Sequence, residues 1–206
     1  MKEFLLKIYL AIYAIYGFIK LKLYTCFHSN IKIIVGAGET KLKGWCSTQQ
    51  IYFNIENKLH YKKYFSRKKI DYLLLEHVLE HIEPQKLEEI IQNFYEYTTQ
   101  NCNIRIAVPD EFYADANYIN YVKPDGIGVG SKDHKSLFNY KNLSELFINL
   151  GFIPILREYW DEQKVFHTTY KDDDKGVISR AFINDERNKN GQTNYTSLII
   201  DFVKKN

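Results

Sequence analysis

Three stretches of this chain bring together residue types that do chemistry. Ile31 to Glu39 reads Ile-Lys-Ile-Ile-Val-Gly-Ala-Gly-Glu, an apolar, β-branched run that stops on Gly36 and Gly38. Such a run predicts a buried parallel strand delivering a tight backbone turn, the usual start of an α/β nucleotide site. Ile70 to His81 is a second apolar run that breaks into Glu76-His77-Val78-Leu79-Glu80-His81, a set of carboxylates and imidazoles able to bind a ligand or move protons. Asn103 to Asp110 is a third, ending in Pro109-Asp110. Ligands of open α/β sheets sit outside the carboxyl ends of the strands, so three polar strand ends predict one shared site.

Each candidate has a plain alternative. Asp110 can orient a substrate at its strand end, or cap a helix. His134 follows Asp133, which can hold the imidazole in one tautomer and make it a general base; a surface histidine in a polar loop is the other reading. His77, Glu80 and His81 match the inverted zinc-protease pattern H-x-x-E-H. The match starts at a strand end and Pro84 follows closely, which denies it a long helix, so no metal ligands are assigned. Glu76 and His77 are placed at the lip of the sheet instead, with Glu80 and His81 on the first turns of a helix. Arg157, Glu158, Trp160, Asp161 and His167 form a polar-aromatic cluster near another strand end, able to line an acceptor pocket. The sequence holds neither a nucleophile elbow nor a G-x-x-x-x-G-K-[ST] phosphate loop.

The elements that must position these groups alternate as α/β. Gly44 to Gln50 follows the glycine turn so soon that no full helix fits between the first two strands. The basic-aromatic run from Leu59 to Lys69 reads as a solvated helix or loop face. Pro84 to Asn101 carries Leu87, Ile90, Ile91, Phe94 and Tyr95 at helical spacing, with proline near its start. Residues 112 to 136 read as an irregular lid, and 139 to 150 as a helix stopped by Gly151. Phe152 to Glu158 is a strand, His167 to Ser179 a hairpin around residues 172 to 176, and Tyr195 to Val203 the closing strand.

The chain has 206 residues and a formal charge of +3, with lysines spread among nearly as many acids, which gives no warrant for nucleic-acid binding. Its 17 tyrosines and 13 phenylalanines are expected chiefly in the core. Three cysteines, Cys26, Cys46 and Cys102, make no disulfide framework, and a reducing, cytoplasmic setting fits. Residues 4 to 24 are the most apolar part. The uninterrupted run between Lys7 and Lys20 is short of the ~20 residues of a membrane span. The segment is read as a helix covering one face of the sheet, with peripheral membrane contact as the alternative.

Taken in order, Val35-Gly-Ala-Gly38, Gly44-Trp45, Glu76-His-Val-Leu-Glu-His81, Arg105-Ile-Ala-Val-Pro-Asp110, Asp133-His-Lys135 and Glu158-Tyr-Trp-Asp-Glu-Gln163 resemble the class I S-adenosylmethionine-dependent methyltransferases, and within them a bacterial group of small predicted methyltransferase-like proteins. The resemblance implies a Rossmann-like, mostly parallel sheet with a shortened first crossover helix. The apolar N-terminal segment is set apart as a helix (1–29) ahead of the α/β domain (30–206), which alone carries the resemblance. The resemblance also implies S-adenosylmethionine held by Gly36, Ala37, Gly38, Thr48, Gln49, Glu76 and His77, and a small-molecule or glycan acceptor served by His134, Asp110 and His77. Two positions depart from the pattern: Gln49 stands where an acidic residue takes the ribose hydroxyls, and Glu39 where a small residue is common. The alternatives are a non-catalytic module of cell-envelope or polysaccharide biosynthesis and, further off, a zinc hydrolase using His77, Glu80 and His81.

Overall fold

A computed structural model describes residues 1–205. It begins with a long helix, α1 (Lys2–Phe27), followed by β1 (Lys32–Val35) and β2 (Cys46–Ser47). Then come α2 (Lys58–Phe65), β3 (Ile70–Glu76), α3 (Pro84–Tyr97) and β4 (Thr98–Val108). The remainder is α4 (Ala116–Val122), α5 (Tyr140–Ile148), β5 (Phe152–Trp160), β6 (Phe166–Thr168) and β7 (Leu198–Lys204). One seven-stranded sheet runs β2-β1-β3-β4-β7-β5-β6. β1 pairs in parallel with β2 and β3, and β3 with β4, while β7 lies antiparallel between β4 and β5. This is the Rossmann-like α/β sheet expected, with a loop (residues 36–45) in place of the first crossover helix.

The strand order reverses at β1, whose neighbours β2 and β3 lie on opposite sides. The crevice outside the carboxyl ends of β1 and β3 is therefore the topological switch point, where open α/β sheets bind ligands. Gly36 and Gly38, with φ of +57° and +54°, make the turn that leaves this crevice open at the end of β1.

The two faces of the sheet are covered differently. Ile33, Val35, Leu73, Leu75, Ile104 and Ile106 meet α1, α2, α3 and α5 in one large apolar cluster. Full burial of each such side chain contributes roughly 1.5–3 kcal/mol. On the opposite face Ile34, Leu74, Ala107 and Ile199 are covered by Leu42 and Trp45 of the β1–β2 loop and by Tyr170, Ile178 and Ala181. The last three belong to residues 169–197, a strap laid across the sheet between β6 and β7.

Several elements differ from their sequence expectation. α3 stops at Tyr97 rather than Asn101, because the β-branched pair Thr98-Thr99 opens β4 and the Thr98 hydroxyl donates back to the Phe94 carbonyl at 2.6 Å. Residues 112–136 are not irregular throughout: Asp115 caps α4, its side chain accepting from Asn117 N. The hairpin is β5–β6, turning at Asp161 to Val165 where Lys164 has a positive φ, whereas residues 172–176 belong to the strap. β7 sits inside the sheet.

The N-terminal helix covers the sheet with one end only. Gly17, Leu21 and Thr25 are its buried residues. At Gly17 an added Cβ would stand 2.2 Å from the Tyr52 ring, so glycine lets the helix lie directly on that aromatic. Before it, Phe4, Leu5, Leu6, Ile8, Tyr9 and Ile12 are exposed. α1 is long and apolar enough to cross a membrane by length and composition, because its helix continues past the lysines that bound the uninterrupted apolar run.

Candidate active site

Three cavities meet at the carboxyl ends of β1, β3 and β4, and the His77 side chain lines all of them. The first, about 320 Å³, is walled by Gly36, Ala37, Gly38, Glu39, Glu76 and Arg180. The second, about 370 Å³, lies between residues 77–81 and the 121–134 segment, with Arg180, Arg187 and Tyr195 on its far side. The third, about 440 Å³, opens on the other side of Gly36 toward Phe53, Asn54, Ile55 and Val78.

β3 ends in a strained turn. His77 has φ +53°, a conformation costly for a residue with a Cβ, and its N–H donates to the Ala107 carbonyl at 2.8 Å. The turn throws the ring back over the strand ends, where Nδ1 lies 2.9 Å from Glu80 Oε1 and Nε2 3.2 Å from Ser197 Oγ. Glu80 is fully buried. Burial raises its pKa, but the facing His77 outweighs this and holds the carboxyl below its ordinary value. Leu79 to His81 form a single 3₁₀ turn, not the start of a helix; Pro84 begins α3 only after an extended Ile82. The H-x-x-E-H spacing thus never becomes the helix face that a zinc protease uses.

The cofactor candidates divide. Gly36 and Gly38 stand exposed on the turn, and a Cβ on Gly36 would come 3.1 Å from Val78 Cγ2. Glu76 reaches the first cavity and accepts from Arg180 N at 2.8 Å. Thr48 does not face a ligand: it is fully buried, and its N–H and hydroxyl both donate to the Ile34 carbonyl. It fastens β2 to β1 instead. Gln49 donates through Nε2 to the Gly38 carbonyl at 2.8 Å, so its amide braces the glycine turn and leaves its oxygen as the acceptor there.

The base candidates divide as well. Asp110 is fully buried, with Oδ1 accepting from Phe112 N and Oδ2 from Trp160 N, so it ties β4 to β5 and cannot touch an acceptor. Burial pushes its pKa up to about 7. The His134 ring is oriented not by Asp133 but by the Val122 carbonyl, 2.6 Å from Nδ1, at the end of α4. The Nδ1–H donates there, leaving the Nε2 lone pair turned to the second cavity. The 157–167 cluster is a scaffold in part. Glu158 is fully buried on Phe182 N and Ser197 N, burial raising it to about 7, while Asp161 holds His167 at 2.7 Å in the β5–β6 hairpin.

Sequence reasoning missed the strap, whose Ser179, Arg180, Arg187 and Tyr195 line two of the three cavities. It also missed what fastens it. Arg105 points from β4 to the strap side, donating to Asp201 through Nε (2.7 Å) and Nη2 (2.9 Å) and to Asp173 Oδ1 through Nη1 (2.8 Å). A basic residue in an otherwise apolar strand was the available signal.

No family model matches the sequence, and comparison with curated proteins finds no relative. Among solved structures, a SAM-dependent methyltransferase from Archaeoglobus fulgidus is similar over 90% of this chain and 91% of its own, at 16% identity and a TM-score of 0.47. A LepI variant in complex with SAH and a substrate analogue is similar over 91% of this chain, at 14% identity and a TM-score of 0.46. The chain spans 39% of the length of LepI.

Proposed function

We propose that this protein is a methyltransferase that uses S-adenosylmethionine and acts on a hydroxyl of a small-molecule or glycan-type acceptor. The observation that carries this reading is the Gly36–Gly38 turn at the switch point between β1 and β3, with cavities of 320 and 440 Å³ on its two sides. Sites of that size suit a nucleoside-bearing ligand, and the missing side chains let the backbone meet it closely. The residues fit the methionine side of the cofactor. On the ribose side the fit is through the Gln49 amide oxygen, which accepts a hydroxyl proton without the charge of a carboxylate.

The acceptor occupies the second cavity, lined by Tyr121, by Arg180 and by Arg187, whose guanidinium lies 3.4 Å over the Tyr195 ring and is paired with Asp185. His77 is the proton acceptor in place of Asp110. S-adenosylmethionine bound at the glycine turn would supply the methyl group; His77, whose Nε2 now stands 3.2 Å from Ser197 Oγ, would take the proton of the acceptor hydroxyl, with Glu80 beside Nδ1 stabilising the imidazolium. Positioning supplies the rest of the rate.

Calorimetric titration with S-adenosylmethionine and S-adenosylhomocysteine tests the reading. Micromolar binding of both, lost in Gly36→Val, is expected; no binding of either would leave the second reading, a non-catalytic module, favoured by the neutral Gln49.

The setting we propose is the cytoplasmic face of a membrane. Between residues 2 and 16 of α1 the charges are confined to Lys2, Glu3 and Lys7, while Phe4, Leu5, Leu6, Ile8, Tyr9, Leu10, Ile12 and Ile15 stand exposed, which suits insertion rather than exposure to water. That arm is about 22 Å long, short of the ~30 Å hydrocarbon core, so it enters one side without crossing.

A further inference from the structure

The geometry points to a binding site for a divalent first-row transition ion formed by Glu80, His81 and His134 in the second cavity. One ligand atom from each of the three side chains lies within 4.8 Å of the other two. Ligand atoms on a tetrahedral ion at about 2.0–2.1 Å stand roughly 3.3 Å apart, a contraction within reach of small side-chain rotations.

The Glu80 carboxylate asks for such a partner. Its residue is fully buried, and neither oxygen has a hydrogen-bond partner of proper geometry. His77 Nδ1 stands 2.9 Å from Oε1, outside good hydrogen-bond alignment, and Oε2 has no partner at all. Buried carboxylates are otherwise paired, hydrogen-bonded or bound to metal.

The two imidazoles are arranged to complete the set. The His81 and His134 rings pack edge to face, their centroids 4.7 Å apart. His134 donates its Nδ1–H to the Val122 carbonyl, the outer contact by which a backbone carbonyl commonly orients a metal-binding histidine, so Nε2 is the ligand atom. The Glu80 carbonyl accepts from Lys135 N (2.6 Å) and Ser136 N (3.3 Å), fixing the segment that bears His134 against the turn that bears Glu80 and His81. Two imidazoles and a carboxylate suit zinc, manganese, iron or cobalt better than magnesium or calcium. Three protein ligands leave the remaining positions open to the 370 Å³ cavity, where an oxygen ligand can enter.

The site goes beyond the methyltransferase reading; it lies in the cavity given there to the acceptor and shares Glu80 with His77, but none of its ligands touches the glycine turn, so metal binding is read separately from cofactor binding. Full-length protein stripped with EDTA is titrated with Co²⁺, followed by visible absorption and calorimetry, and the bound ion is then displaced with Zn²⁺. The expected result is one equivalent bound, with Kd raised more than tenfold in His81→Ala and in His134→Ala and unchanged in His28→Ala and His60→Ala. His81 is exposed, so its variant folds, and circular dichroism verifies this. Absence of stoichiometric binding, or binding that survives both His81→Ala and His134→Ala, overturns the site. Either result is independent of cofactor titration, so the failure of one reading is distinguishable from the failure of the other.

Discussion

Arg105 and Asp201 face each other in register across β4 and β7 and meet side-on, Nε to Oδ1 at 2.7 Å and Nη2 to Oδ2 at 2.9 Å. Both are almost fully buried. Arg157 Nε adds a third contact to Asp201 at 2.7 Å, and these cations hold the Asp201 carboxyl below its ordinary value although burial pushes it up. Asp201→Ala would leave the buried Arg105 guanidinium without two of its five hydrogen bonds, keeping only Asp173 and the Gly176 carbonyl. The expected loss is about 3–5 kcal/mol of unfolding free energy, read as a lower urea midpoint. A loss below about 1 kcal/mol would show that the pair is not what closes the strap.

The glycine turn separates strain from contact. Gly36 and Gly38 share a left-handed backbone, but only Gly36 has a neighbour, Val78, at the distance where a Cβ presses on it. Either alanine substitution costs about 1–2 kcal/mol for the backbone. Gly36→Ala is expected to melt lower than Gly38→Ala; equal melting temperatures would place Val78 out of reach.

Stability against pH should slope in an unusual direction. Asp110 and Glu158, pushed up to about 7 by burial, keep protons that the unfolded chain has already released above about pH 4 to 5. Where the folded state binds more protons, stability falls as pH rises, so their contribution is complete below pH 4 and lost by pH 7. Each group contributes on the order of 3 kcal/mol over that window. Asp201 and Glu80, shifted down, act oppositely and lose their contribution at more acid pH. Urea midpoints should therefore peak between about pH 4 and 6. Glu158→Gln, which keeps an oxygen for Phe182 N and Ser197 N, should flatten the alkaline limb by about half; an unchanged limb would mean that Glu158 is ionised throughout.

Removing residues 1–12 takes away most of the exposed arm and none of the three buried positions of α1, and it leaves Tyr13 on the Tyr52 ring. Thermal stability should hold within about 0.5 kcal/mol, while co-sedimentation with vesicles containing anionic lipid should be lost. Retention of vesicle binding by the shortened chain would assign it to another surface.

The parts of the fold legible in the sequence were those written in local chemistry. The β1 run ending on two glycines, Pro84 at the head of α3 and Gly151 after α5 each declare themselves within a few residues. Less legible were the parts decided by distant partners. Thr48 was turned inward by Ile34, Asp110 was claimed by Trp160 fifty residues on, and His134 took the Val122 carbonyl rather than the adjacent Asp133. The strap has little periodicity, since loops and turns rather than helices cover that face of the sheet, and only an arginine inside an apolar strand hinted at it.

One wall, fastened at its start by a guanidinium and further on by the Glu76 and Glu158 carboxylates, is common to two compartments. The chain segment pinned at Asp173 and Gly176 by Arg105 goes on to supply Ser179 and Arg180 to the first cavity and Arg187 and Tyr195 to the second. Opening that wall is expected as a single cooperative event rather than two. Amides on residues 176–188 should then exchange with solvent as one unit, and a ligand held in either chamber should slow exchange around the other, a thermodynamic linkage between the two chambers that needs no movement of the sheet.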